Sequence, residues 1–154
     1  MIRVQQEDFD VGAEISNLVG SDKSIGALVT FVGLVRDMND GDTVADMTLE
    51  HYPGMTEKML EQIRAEAMER WPLSASLVVH RYGRLSPGEK IVLVITASAH
   101  RQSAFEANEF LVDWLKTKAP FWKHEEMPKG ARWVSARSSD DAAAARWARD
   151  SQKQ

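Results

Sequence analysis

The segment IVLVITASAHRQSAFEANEFLVDWLKTKAP, residues 91–120, changes its apolar period within a few positions. Residues 91–97 are a short apolar run rich in Val and Ile, which reads as a strand. From Arg101 onward the apolar side chains recur at helical spacing, with Ala104, Ala107, Leu111 and Leu115 on one inward stripe. The spacing predicts a helix over 101–118, ended by Ala119-Pro120. A strand that runs straight into a helix marks a mixed α/β chain, and the rest of the sequence fits that reading.

Working outward, residues 25–36 (IGALVTFVGLVR) have the composition of a central strand, with Gly26 and Gly33 as bend or bulge positions. The turn-forming DMNDGD follows at 37–42, and residues 44–52 then alternate, Ala45, Met47 and Leu49 facing in. A hairpin between these two strands is expected. After Pro53-Gly54, Thr56 is the expected N-cap of a helix with Leu60, Ile63, Ala67 and Trp71 on its apolar face. Its other face, with Glu57, Lys58, Glu61, Arg64 and Glu69, is solvated, and Pro72 stops it. Residues 77–82 read as a strand joined to 91–97 around Ser86-Pro87-Gly88. A short first helix over 10–19, a loop over 21–24, a last strand over 132–137 and a terminal alanine-rich helix over 141–149 complete the reading. Ser138 and Asp141 are its capping candidates, and the tail from 148 is expected to fray. With no internal repeat and no low-complexity linker, residues 1–154 are expected to form one α/β (α+β) domain.

Composition narrows the function. At 154 residues, 44% hydrophobic and 27% charged, the chain is of ordinary globular type. It contains no cysteine, which excludes disulfides, thiolate zinc sites, a cysteine nucleophile and a persulfide carried on this chain. Nineteen Lys and Arg against 23 Asp and Glu give a net charge of −4, so the overall field does not favour nucleic acid. No apolar run approaches the ~20 residues of a membrane span, and MIRVQQEDFDVG has no signal-peptide core; a cytoplasmic location is expected.

Against that negative balance, local cations stand out. In KTKAPFWKHEE, residues 116–126, Lys116, Lys118, Lys123 and His124 surround a rigid apolar plug of Pro120, Phe121 and Trp122. Pro120 breaks the helix between Lys116 and Lys123, so the two converge only if the chain doubles back on the aromatic anchor. A lysine held beside aromatics and other cations is suited to proton transfer or to an electrophilic carbon; a basic loop that docks an acidic partner is the other reading. His100 and Arg101 stand at a helix start, where amide dipoles and a guanidinium together suit an anion, unless Ser98 or Ser103 simply caps the helix. Arg36 closes the long first strand, where it is expected to reach the same end of the sheet. His51 and His80 read as packing residues, and no spacing suits a metal, so no metal or cofactor is expected. P-loop, GxGxxG and GxSxG motifs are absent.

The strings TFVGLVRD (30–37), LEHYPGMTEKML (49–60), RWPL (70–73), HRYGRLSPGE (80–89), SAHRQSAFEA (98–107) and LKTKAPFWKHE (115–125) closely resemble the large, catalytic subunit family of molybdopterin synthase. The resemblance extends over nearly the whole chain. It implies a hammerhead-type fold with an antiparallel sheet and packed helices. It also implies a sulfurtransferase that converts cyclic pyranopterin monophosphate to molybdopterin in molybdenum-cofactor biosynthesis. Sulfur arrives as the C-terminal Gly-Gly thiocarboxylate of a small ubiquitin-like partner, and a homodimer of this subunit sits within a heterotetramer. By the same resemblance Lys116 and Lys123 are catalytic. Leu34, Val35 and Arg36, His100 and Arg101, and His124 and Glu125 join those lysines in binding the substrate. Phe31 and Arg137 match positions in the pocket wall. Leu34 departs from members that carry a lysine there. The competing class is a non-catalytic module that docks an acidic protein tail, for which a second cation cluster has no use.

Overall fold

A computed structural model describes residues 1–39, 42–43, 46–127, 130–134, 143–145 and 147. In chain order the elements are β1 (Ile2–Gln5), α1 (Val11–Val19), β2 (Ala27–Leu34), β3 (Met38–Asn39), β4 (Asp42–Thr43), β5 (Asp46–His51), α2 (Met55–Arg70), β6 (Leu73–Arg81), β7 (Gly83–Leu85), β8 (Lys90–Ser98), α3 (Arg101–Lys118), β9 (Phe121–Met127) and β10 (Gly130–Val134). One sheet has the order β1-β6-β8-β2 and a second the order β10-β9-β5-β7. Every ladder is antiparallel except β1 with β6. Residues 143–145 and 147 are helical, while the expected capping residues Ser138 and Asp141, and the tail from 148, lie outside the described residues.

The central strands β6 and β8 carry unbroken apolar runs at 77–79 and 91–95 because both of their faces are covered there. Val78, Val92 and Val94 pack under α2 and α3 with Leu60, Ile63, Phe110 and Leu111. Their neighbours Leu77, Val79, Leu93 and Ile95 point the other way, onto Phe9 and α1. The helix read over 101–118 occupies those residues, with Ala104, Ala107, Leu111 and Leu115 buried. Asp10 caps α1 by accepting from the Ala13 N–H at 3.0 Å.

Four expectations need correction. The hairpin of β2 with β5 does not form: among the described residues β2 pairs with β8 alone, and β5 joins β7 and β9 in the second sheet. The inward face of β5 is matched there, since Met47 packs with Leu85 and Val35. Gly33 does mark a register shift at the end of β2. Strand β6 begins at Leu73, directly after Pro72, rather than at Leu77. Residues 121–127 form a strand between β5 and β10 rather than a loop. Finally, Thr56 is not the N-cap of α2. Gly54 takes that place, with φ 85°, and the Glu57 carboxylate accepts from its N–H at 2.6 Å.

Thr56 does something else. Fully buried, its hydroxyl accepts from the Tyr52 N–H at 3.0 Å and donates to the Pro120 carbonyl at 3.1 Å, tying the end of β5 to the turn between α3 and β9. Thr56→Val keeps the shape but leaves both backbone groups short of a partner. A loss of about 1–3 kcal/mol is expected, measured by urea unfolding.

Candidate active site

At the start of α3, Ser98 is committed elsewhere, donating to the Pro72 carbonyl at 2.9 Å. His100 is the N-cap residue, in extended backbone (φ −128°, ψ 147°), with no side-chain cap and no acidic residue in the first turn. The serine-capped alternative is therefore not realised. The amides of that turn remain available to an anion beside the exposed Arg101. His100, Arg101, Gln102, Phe105 and Glu106 line an open hollow of about 590 Å³.

The last turn of α3 carries Lys116 and Lys118, and Ala119, extended at φ −72° and ψ 130°, turns the chain into β9. Register sets His51 opposite Phe121 and Leu49 opposite Lys123. Opposed residues of an antiparallel pair share a face. Leu49 is fully buried, so Lys123 stands on the inner face of its sheet and is only half-exposed. Phe121 stacks on the His80 ring, with centroids 3.7 Å apart and planes 17° from parallel. Burial, then the fields of Lys123, Lys116 and His51, hold His80 well below the usual histidine range, at about 4, against an opposing hydrogen bond to the Arg81 carbonyl. The charges of Lys116 in α3 and Lys123 in β9 thus both act on one buried ring.

Arg36 lies just beyond β2. The backbone there is held by Val35 N–H to Glu89 carbonyl (2.9 Å) and Gly88 N–H to Val35 carbonyl (2.8 Å). Val35, Arg36, Asp37, Pro87 and Gly88 border a second hollow of about 460 Å³. The Val35 side chain is in the core beside Met47 and Leu85, whereas Leu34 is exposed. Phe31 is half-buried against the α2/α3 core. His124 and Glu125 stand in β9 opposite Thr48 and Met47; their side chains, and all of Arg137, lie outside the described residues.

The two cation groups do not meet within one chain. Ala27 pairs with Ser98 and Leu34 with Lys90, so Arg36 is at the opposite end of the sheet from His100 and Arg101. Helix α3 runs back over the sheet: Thr96 donates to the Ala104 carbonyl, and Asn108 donates to the carbonyls of Val29 and Val94. Fifteen residues of helix separate Arg101 from Lys116, about 22 Å along the axis. The expectation that Arg36 shares an end of the sheet with Arg101 is corrected; it shares one with Lys116 and Lys123.

A model of the MoaE protein family matches residues 4–118. This chain belongs to the MoaE family. A curated relative, the molybdopterin synthase catalytic subunit of Pseudomonas aeruginosa, is 60% identical over 146 residues, covering 95% of this chain and 97% of its own. Among solved structures, the molybdopterin biosynthesis MoaE protein of Burkholderia ambifaria is 56% identical with a TM-score of 0.83, covering 96% of this chain and 97% of its own. Molybdopterin synthase from Staphylococcus aureus is 32% identical with a TM-score of 0.80, covering 86% and 96%. The resemblance read from the six strings is borne out, as are the mixed fold and the expectation of an enzyme subunit.

Two residues near the MoaE lysines gave no functional signal in sequence. His80 reads as one polar residue in an apolar strand, and Thr56 as a cap. His80 has a consequence for stability: its folded pKa is depressed to about 4. Between that value and the ordinary ~6.5 of histidine, the unfolded chain binds the extra proton. Stability is therefore expected to fall as pH drops from about 6.5 toward 4, by on the order of 3 kcal/mol from this residue. Unfolding of wild type and His80→Phe across that window should differ in slope, the variant being flatter.

Proposed function

We propose that this chain is the catalytic subunit of a molybdopterin synthase, acting in the cytoplasm on a pterin phosphate with sulfur from a small thiocarboxylated partner. The observation that carries this is the placement of Lys116 and Lys123 on either side of the turn from α3 into β9, in a chain of the MoaE family with no cysteine of its own. The name borne by the 60% identical relative, a catalytic subunit, supports an assembly with a partner chain. Among the described residues no helix is long and apolar enough to cross a membrane, which agrees with a cytoplasmic enzyme.

In this reading the partner's extended Gly-Gly tail reaches Lys116 and Lys123, whose ammonium groups hold the thiocarboxylate and the oxyanions that develop near it. The thiocarboxylate sulfur attacks a side-chain carbon of the cyclic pterin phosphate; the C–O bond from that carbon to the phosphate breaks, leaving a phosphate monoester, and a thioester joins substrate and partner. Water attacks the thioester carbonyl, the partner departs as a carboxylate, and sulfur stays on the pterin. A second charged partner delivers its sulfur to the adjacent carbonyl-level carbon, whose oxygen leaves as water as the C=C bond forms, and hydrolysis of that second thioester completes the dithiolene. Lys116 serves as acid/base or stabilising group, and Lys123 assists.

The phosphate needs its own cations. Arg101 cannot reach the lysines of its own chain across about 22 Å, so the reading takes the phosphate-binding His100 and Arg101 from a second copy in the homodimer. Arg36 is supplied by the same chain as the lysines. The test is reconstitution with thiocarboxylated partner and pterin substrate, followed by mass analysis. Molybdopterin is expected; binding of the tail with neither pterin affinity nor turnover would overturn the proposal in favour of a docking module.

A further inference from the structure

His80 has three attachments. Its Nδ1 lies 2.9 Å from the Arg81 carbonyl, which can only accept, so Nδ1 carries the proton and the neutral ring keeps a bare Nε2. The ring stacks on Phe121. Phe121 follows Lys116 by five residues and precedes Lys123 by two. The third attachment is the sheet itself, where Val92 and Val4 flank His80 in register. Among the described residues no hydrogen bond to Nε2 is seen.

We infer that His80 is a positioning residue for the lysine pair: its ring clamps the turn between Lys116 and Lys123, and its bare Nε2 offers them a hydrogen-bond acceptor. The charged surroundings support this. The charges of Lys123 on β9, Lys116 on α3 and His51 on β5 all act on it, while Glu57 of α2 is paired with His51 at 3.7 Å. The adjacent Arg81 guanidinium is occupied elsewhere, donating to the carbonyls of Gln6 and Lys90. Burial and those cations keep the ring neutral at physiological pH. A charged ring would add a third cation to the field of the two lysines; a neutral one adds no such repulsion. The functional half of the inference rests on the sulfur-transfer reading above, but the geometric half does not.

The test has two arms. In the first, the His80 ring of the full-length protein is followed by ¹⁵N NMR through a pH titration, in wild type, Lys116→Ala and Lys123→Ala. The expected result is an Nδ1–H tautomer that titrates near pH 4 in wild type, and at higher pH once either lysine is removed. Identical titrations in all three proteins would overturn the inference whatever the enzyme does. In the second arm, His80→Phe keeps the stack and loses both nitrogens, whereas His80→Gln keeps a polar atom near the Nε2 position. In the reconstituted assay His80→Phe is expected to lower kcat about tenfold or more with KM little changed, and His80→Gln to recover part of it. A folded His80→Phe protein with wild-type kcat would overturn the positioning role. Should wild type itself form no molybdopterin, the proposed function fails, and the first arm still decides the geometry.

Discussion

Lys116→Ala is expected to fold, to bind the small partner and to form almost no molybdopterin, with kcat down about 10³-fold. The side chain is exposed at the last turn of α3, so removing it empties no core site and breaks no described hydrogen bond. In the proposed reaction it removes a positive charge from beside developing negative charge, a loss worth about two to three powers of ten in comparable sites. Thermal unfolding and partner co-purification should match wild type. Retained product formation would take Lys116 out of the catalytic role. Arg101→Ala should also be inactive, through loss of phosphate binding. If the site is shared between two copies, mixing these two inactive proteins is informative. Random reassociation makes half of the dimers mixed, each with one complete site out of two, so about one quarter of wild-type activity should return. No recovery after verified subunit exchange would mean that each chain works alone, and the two-copy site would be abandoned.

The largest stability effect should come from Phe110→Ala. Phe110 is fully buried in α3, 5.3 Å from the Trp71 ring and edge-on to Trp147 at 5.7 Å, with the Arg70 guanidinium 4.6 Å above its face. Trp147 is held in turn by its indole N–H, which donates to Asp113 at 2.6 Å. Truncation would leave a cavity at the junction of α2, α3 and the terminal helix, where three rigid partners cannot collapse together. The expected cost is about 3–5 kcal/mol. For a chain of this size that corresponds to a fall in Tm of roughly 10 °C. Calorimetry decides it, and a fall under about 2 °C would mean that the aromatic cluster repacks freely.

Helix α3 was legible in sequence because its periodicity, its start after an apolar strand and its proline stop all agree. The partners of β2 were not. A strand's composition says that it will pair; which strand it pairs with depends on the surface left by distant segments, here the eight-residue match of Ala27–Leu34 to β8. Strand β9 was missed for a related reason. Its residues 123–126 are charged or basic, and it becomes a strand because β5 and β10 offer ladders on both sides. The site residues were legible as chemistry: lysines around an aromatic anchor, and an arginine at a helix start. Their separation was not, because it follows from an antiparallel register and from the direction in which α3 crosses the sheet. His80 carried no signal at all, since a buried histidine among valines looks like packing until its ring is seen against Phe121.

The length of α3 has a kinetic corollary. In the proposed two-copy site, with cationic groups at both ends of a stiff rod, an isolated protomer owns two incomplete halves that it cannot fold together. Specific activity should then depend on enzyme concentration, falling on dilution as dimers come apart and rising again when the sample is reconcentrated.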